Sequence, residues 1–476
     1  MKKELLLSLF ILSFITAKSQ TISLIPTDDA YVWSVSPDLQ NGTLNELSAA
    51  RWSWGGNKGT IRSYMKFDLS TIPANARIIS ATLVLKAPAI TSAVIGGHQG
   101  QNDWRIENVA SSWDETTISW NNQPGTGSLR SYYLPATTSA NQSYALDITT
   151  QAMEWLSNHS ANHGIMFRLQ NEAMMHTSLV FASKEAADSS LHPKLEIDYF
   201  VPAPNESSIL MRLNNTNSED SYLWSVDPLS NNGNNSEIGT ANWTWSGKPG
   251  TISSLLKFDL KQLPENAEIK RAYLRLYGNY PTSSAVQNGH SGNNDWKIQR
   301  ITSDWKENEV NWDLTPTSTD TNEIVFEKCL MKNQDFCIDI KTVLQDIFAA
   351  GNNYGLKIDL VNNDGFQSVI FGSSENSDTS LRPFVEIYYT QNASSLFSGP
   401  SLITPTLYPN PSRGICTVSS GDFEFVVVYD ASGKMVYTTT IEGKKLDISH
   451  LANGLYTVVL SNKDGNSRKE KISLTH

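Results

Sequence analysis

Three groupings in this chain have residue types and spacing suited to holding a small polar ligand, and each occurs twice. The first copy offers Trp33, then Arg51-Trp52-Ser53-Trp54, then His98, Asn102, Asp103 and Trp104. The second offers Trp224, then Asn242-Trp243-Thr244-Trp245, then His290, Asn294, Asp295 and Trp296. An indole presents a flat apolar face on which the C–H face of a sugar ring stacks. Short amides, carboxylates and imidazoles supply fixed donors and acceptors for hydroxyls. Glycines at 55, 56, 97 and 100, and again at 247, 289 and 292, let backbone amides approach closely. Two other readings use the same residues. Trp52 and Trp54 close the end of the fold with His98 hydrogen-bonded beneath them, or Asp103 and Asp295, with neighbouring Asn and loop carbonyls, hold Ca²⁺, which takes oxygen ligands. One histidine per copy makes no zinc site, since no second His or Cys stands at ligand spacing.

The recurrence extends along the chain. Of thirteen tryptophans, twelve form six pairs separated by 191 or 192 residues, and only Trp155 has no counterpart. The chain is a tandem duplication. Loops normally drift fastest, so loop residues kept in both copies call for a cause. Trp113, Trp120, Trp305 and Trp312 lie near Ile118 and Val310 in a strand-like stretch and read as core. Lys66 with Asp68, and Lys257 with Asp259, share a strand face and read as surface ion pairs.

Catalytic signatures are scarce. The sequence has no GxSxG, HExxH or phosphate loop. Glu115 and Glu307 recur, and glycoside hydrolysis would need two carboxylates in each module, but Glu115 sits in a WxE motif and reads as structural. A polysaccharide lyase would use His98 as base and Arg51 or Arg105 to neutralise a uronate. The second copy has Asn242 and Lys297 at those two positions, so one basic partner is lost.

Alternation positions these residues. Met65, Phe67 and Leu69 fall on one face, as do Leu83 and Leu85, with Leu274 and Leu276 their equivalents. Period two between turn signals predicts an all-β chain of two tandem antiparallel β-sandwiches. One short helix is expected in each. Ile340, Val343, Leu344, Ile347 and Phe348 follow Asp339 as N-cap and end at Gly351. In the first copy Ile148, Ala152, Trp155 and Leu156 follow Asp147, which gives Trp155 the core position of Ile347.

The start reads as a secretory signal peptide over 1–19, too short in its apolar run to span a bilayer. Modules are expected over 20–200 and 208–390, linkers over 201–207 and 391–402, and a small C-terminal β-sandwich over 403–476. The net charge is −11, with 16 acidic against 11 basic residues over 21–200 and 23 against 15 over 208–389. That excess argues against nucleic acid or an anionic membrane as partner. Three cysteines are no disulfide framework. Cys329 and Cys337, eight apart, are placed to bridge across a hairpin.

The recurring motifs resemble a known family. Asp29-Ala-Tyr31, Lys66-Phe-Asp-Leu-Ser70, Trp113-Asp-Glu115, Trp120, Asp147-Ile-Thr149 and Pro193-Lys-Leu-Glu-Ile197 look like the DNRLRE domain, also called the disaggregatase-related repeat or carbohydrate-binding module family 96. Asp220-Ser-Tyr222, Lys257-Phe-Asp-Leu260, Trp305-Lys-Glu307, Trp312 and Ser373-Ser-Glu375 match in the second copy. The resemblance implies a jelly-roll-like sandwich that binds polysaccharide, alginate in some members. Leu407-Tyr-Pro-Asn-Pro-Ser-Arg-Gly414, Val428-Tyr-Asp-Ala-Ser-Gly-Lys434 and Gly454-Leu-Tyr456 resemble the type IX secretion sorting domain. That implies export across the outer membrane of a Gram-negative bacterium, with the type IX machinery as partner and the tail usually removed. The expectation is a secreted or surface-displayed, non-catalytic polysaccharide binder. A lyase housed in the modules, or a structural adhesin with a protein partner, is the alternative.

Overall fold

A computed structural model describes residues 19–88, 96–127, 130–214, 218–264, 266–281 and 289–391, and, in the C-terminal unit, 407–418, 423–431, 433–441, 443–462 and 467–476. Residues 1–18 of the expected signal peptide, the Thr91–Val94 stretch, its repeat at Thr282 and nearly all of the second linker lie outside them. The chain divides into Met1–Asn392 and Ala393–His476.

The alternating segments form the predicted sandwiches. In the first module a four-stranded antiparallel sheet runs in the order Gln20–Leu24, Lys194–Phe200, Arg77–Leu85, Tyr144–Asp147. A seven-stranded sheet runs Thr177–Ala182, Glu46–Trp54, Asn57–Lys66, Ile165–Leu169, Trp104–Asn108, Tyr132–Leu134, with Asp28–Trp33 also paired to Asn57–Lys66. The facing sides bury Leu83, Leu85, Met65, Phe67, Trp104, Phe167 and Phe181, each 2 % exposed or less. The second module repeats this order of sheets. Burying ring and branched side chains on one face of each sheet is what drives the layers together.

The helices are Thr149–Ser157 and Lys341–Ala350. Trp155 and Ile347 are both buried, at 0 % and 3 % exposure, as their equivalence requires. The capping aspartates sit one residue earlier than expected: Ile148 and Ile340 are the N-caps, while Asp147 and Asp339 accept from the backbone N–H of Thr149 and Lys341 at 2.9 Å. Gly351 ends the second helix at φ 70°.

Two side-chain expectations are corrected. Lys66 pairs with Asp28 at 2.8 Å, not Asp68, which instead accepts from Ser70; Lys257 pairs with Glu219 at 2.8 Å, not Asp259, which accepts from the Lys261 N–H. The partner comes from the neighbouring strand because Asp28 and Glu219 lie directly opposite the lysines in the register. Cys329 and Cys337 are free thiols. Cys329 packs on the module core, while Cys337 lies against the separate cluster of Phe200, Tyr273 and Tyr388.

The modules are packed together rather than strung on a loose linker. Arg130 of the first meets Asp335 of the second at 2.7 Å, with side chains 13 % and 5 % exposed. Asn333 donates to the Ser131 carbonyl at 2.7 Å and accepts from the Tyr133 N–H at 3.1 Å. Met331 of the second module sits in the first module's core.

The C-terminal unit has two small antiparallel sheets, one of Leu407–Tyr408, Ile415–Val418 and Lys445–Asp447, the other of Met435–Thr440, Phe425–Tyr429, Gly454–Ser461 and Ser467–Leu474. Leu407, Cys416, Val426, Val428, Leu446, Val458 and Leu460 fill its interior.

Candidate functional site

The hairpin Glu46–Trp54/Asn57–Lys66 turns at Gly55-Gly56, with φ values of 57° and 86°. Left-handed backbone at both turn positions is what glycine permits. Residues two apart on a strand share a face, so Trp52 and Trp54 emerge side by side. Trp33, on the adjoining strand, meets Trp54 edge-to-face at 5.2 Å. The three rings are half-buried over Tyr31, Ala50 and Ile61. In the second copy Ser246-Gly247 makes the turn, and Trp224 meets Trp245 at 5.6 Å, again edge-to-face. The indole Nε1 atoms of Trp33, Trp54 and Trp224 are buried without a hydrogen-bond partner. The accessible part of those rings is therefore carbon.

Each tip gains one more ring that the sequence did not single out. His176 lies edge-to-face on Trp52 at 5.0 Å, and Phe366, 61 % exposed, lies likewise on Trp243 at 5.1 Å. Both residues hold left-handed backbone, φ 61° and 55°, a conformation that a bulky residue keeps only when its surroundings impose it. The glycine loop lies directly against both residues. A Cβ added at Gly100 would lie 2.5 Å from the His176 carbonyl oxygen, and one at Gly292 would lie 2.3 Å from that of Phe366.

The loop's polar residues are spent in fastening it. His98 is 4 % exposed; its Nε2 meets the Gln142 carbonyl at 2.8 Å and its Nδ1 accepts from the Val180 N–H at 3.0 Å. His290 repeats this with the Gln334 carbonyl and the Ile370 N–H. Burial lowers the proton affinity of both rings, His290's to a pKa of about 4. Asn102 donates to the Ser178 carbonyl and accepts from the Thr137 N–H, both at 2.8 Å; Asn294 donates to the Ser368 carbonyl at 2.7 Å and accepts from the Cys329 N–H at 2.8 Å. Trp104 and Trp296 are fully buried in the two cores. The structure thus separates the repeated residues. Trp33, Trp52, Trp54, Trp224, Trp243 and Trp245 gather at the tips. His98, Asn102, Trp104, His290, Asn294 and Trp296 lie beneath the surface as supports.

Arg51 and the two aspartates stay half-buried. Arg51 donates to Thr60 Oγ1 at 3.1 Å, and Asp103 accepts from Gln101 at 2.6 Å. Among the described residues, the clusters of three or more His, Cys, Asp or Glu include neither Asp103 nor Asp295.

The outer face of the seven-stranded sheet differs between copies. In the first, Arg62 clamps Glu172 through Nε at 2.7 Å and Nη2 at 2.6 Å, and lies 4.9 Å from the Trp120 ring centre. Arg168 and Arg105 share Glu107 at 2.6 and 3.2 Å. At the positions of Arg62, Glu107 and Arg168 the second copy has Ser253, Gln299 and Asp359. Alternation along the strands would have put these residues on one face, but nothing in the pattern pairs them.

The profile of carbohydrate-binding module family 96 matches residues 20–199 and 213–387, and that of the secretion system C-terminal sorting domain matches 406–474. A gellan lyase from a Bacillus species is 35 % identical over 116 residues, spanning 24 % of this chain and 4 % of that protein. Among solved structures, a biofilm-associated protein BSP domain aligns over 92 % of this chain and 82 % of its own, at 10 % identity and TM-score 0.14. The Bacillus anthracis TIE protein aligns over 92 % and 74 %, at 10 % identity and TM-score 0.11.

Proposed function

Because the chain belongs to carbohydrate-binding module family 96, carried in two copies ahead of a sorting domain, we propose that it holds polysaccharide at its two tryptophan tips and does not cleave it. The sorting domain assigns the chain to type IX export, to the cell surface or the medium. One observation carries the reading. Both copies keep a half-buried indole cluster, with the Nε1 groups of Trp33, Trp54 and Trp224 turned inward, while the charged outer faces beside them have diverged. Two sites for one polymer should share their contacts, and the tips are what the copies share. Stacking of sugar C–H groups on such rings needs carbon surface, and the inward Nε1 atoms leave carbon outside. Trp33, Trp52, Trp54 and His176 serve one tip, and Trp224, Trp243, Trp245 and Phe366 the other. Asp103 and Asp295 are the flanking acceptors, with Arg51 beside the first tip.

The likeness to a gellan lyase keeps an enzymatic reading in view. It lacks its base: His98 donates one ring nitrogen and accepts on the other, both to backbone, so neither is free for a substrate proton. The test is a screen of the full chain against acidic and neutral polysaccharides, scoring both retention and new unsaturated or reducing ends. Retention without new ends is expected. New ends would establish the lyase, and no retention on any glycan would favour a protein partner.

A further inference from the structure

The tips carry what the two modules share, whereas the outer faces of their seven-stranded sheets differ. In the first module Arg105 lies opposite Arg168 on one neighbouring strand and opposite Tyr133 on the other. The register that pairs Ser63 with Phe167 brings Arg62 beside Arg168 one position further on. Three guanidiniums and a phenol therefore form one row across four adjacent strands, about 4.8 Å apart. Like charges set directly opposite one another weaken a sheet, and two glutamates offset three arginines only in part. Glu107 lies between Arg168 and Arg105, while Glu172 takes Arg62 and reaches Arg168 at 3.7 Å. One positive charge is left over. Among the described residues, neither Nη of Arg105 nor the Nη2 of Arg168 donates a hydrogen bond. Aromatic rings bound the row. Trp120 lies against Arg62 at one end, and Tyr133 meets Tyr280 of the second module at 5.0 Å at the other. Arg62 stands on the strand that leaves the Gly55-Gly56 turn, so the row begins beside the first tip.

The second module has Ser253, Asp359, Lys297 and Val325 at the positions of Arg62, Arg168, Arg105 and Tyr133. Each cation there has an acid of its own. Lys297 meets Glu323 at 3.2 Å, and Lys357 meets Asp359 at 2.7 Å. Ser253 also donates to Asp359. No charge is left over, and among the described residues no cation lies over the Trp312 ring as Arg62 does over Trp120.

Given a chain that holds polysaccharide at its tips, we infer that Arg62, Arg168 and Arg105 bind carboxylates of an acidic polysaccharide, at a site that the first module has and the second lacks. The two modules then hold one polymer unequally: both stack its sugars, and only the first also reads its charge. The planar fork of a guanidinium matches a carboxylate through two parallel N–H···O bonds, and the unspent Nη groups are where such bonds form. The rings at either end of the row offer faces to sugar C–H groups. A sulfate ester carries the same charge on a tetrahedral set of oxygens, which the fork fits less well.

The test measures the affinity of the full chain for polygalacturonate, polymannuronate and polyguluronate, for each with its carboxyl groups reduced to alcohols, and for dextran sulfate. At least one polyuronate should bind more tightly than its reduced form, with an affinity that falls as NaCl is raised. The combined exchange Arg62→Ser, Arg105→Lys, Glu107→Gln and Arg168→Asp gives the first module the face of the second. It should weaken that polyuronate by about tenfold or more and leave the reduced polymer unchanged. Arg105→Gln, which leaves Glu107 its bond from Arg168, should act in the same sense, and it decides the matter if the combined variant does not fold. Trp52→Ala, by contrast, should weaken both forms. Equal binding of a polyuronate and its reduced form, or full polyuronate affinity in the folded variants, would overturn the row and leave the tips standing. A loss confined to dextran sulfate would overturn the choice of carboxylate. No retention of any polyuronate would overturn the row as well, and the polysaccharide reading falls with it only if neutral glycans are not retained either.

Discussion

A histidine whose two ring nitrogens both meet backbone groups has one tautomer available, and His98 and His290 are held in it. The Nδ1 atoms accept from Val180 and Ile370, so the proton stays on Nε2. Burial is the larger cause of their lowered basicity. The sign follows from which state takes the proton first. With the folded pKa of His290 near 4 and the unfolded value near 6.5, the unfolded chain protonates first as pH falls. The stability this residue contributes is complete above about 6.5 and is lost as pH falls through about 4. NMR of the ring nitrogens should therefore show His290 neutral with Nε2–H at pH 5.5, and an imidazolium pattern there would contradict the geometry. The sequence pointed to these histidines and asparagines because they recur in glycine-rich loops. It could not tell a polar group that faces solvent from one satisfied inside. His176 and Phe366 stayed unread for the opposite reason: they differ in type, and what they share is a backbone angle and a ring on tryptophan.

At the scale of elements, period two and the helical stripes predicted the sandwiches and helices, because each sheet buries one face and each helix one side. What alternation does not encode is the clamp between distant segments. Gly100 and Gly292 lie under the carbonyls of His176 and Phe366, at φ 72° and 78°. Gly100→Ala must both adopt left-handed backbone and push the His176 loop away. A loss of about 1–3 kcal/mol in stability is expected from such strain, measured by denaturant unfolding. The same variant should weaken glycan binding, since His176 would no longer hold the Trp52 ring. Unchanged stability and affinity would mean that the loop has room to relax and does not brace the tip. The paired carboxylate–lysine strands teach a related lesson: Lys66 was expected to pair along its own strand with Asp68, but register supplied Asp28 from the neighbour.

Across the molecule, the module interface had no sequence signal, since Arg130, Asn333 and Asp335 belong to no repeating pattern. The Arg130–Asp335 pair is buried, so removing one partner strands the other charge. Asp335→Ala should cost about 3–5 kcal/mol and divide a single calorimetric unfolding transition of residues 20–390 into two; one unsplit transition at unchanged temperature would show that the contact is not what couples the modules. Deleting 403–476 should leave glycan binding intact but keep the chain from leaving the host's periplasm, whereas mass spectrometry of a secreted chain still ending at His476 would show the tail to be retained. On the proposed reading, a polymer held at one tip is kept close to the second module, so binding at the second tip is favoured by proximity. The most direct measurement is the affinity of the full chain for its polysaccharide in Trp52→Ala, Trp243→Ala and the double variant, each checked for melting temperature. By analogy with aromatic stacking on bases, each ring should be worth roughly 1–3 kcal/mol, a loss of about five- to 150-fold, with the double variant losing polymer retention while still folded. Full affinity in the folded double variant, or a fall in melting temperature with affinity per folded molecule unaltered, would contradict the account and return the tryptophans to the core.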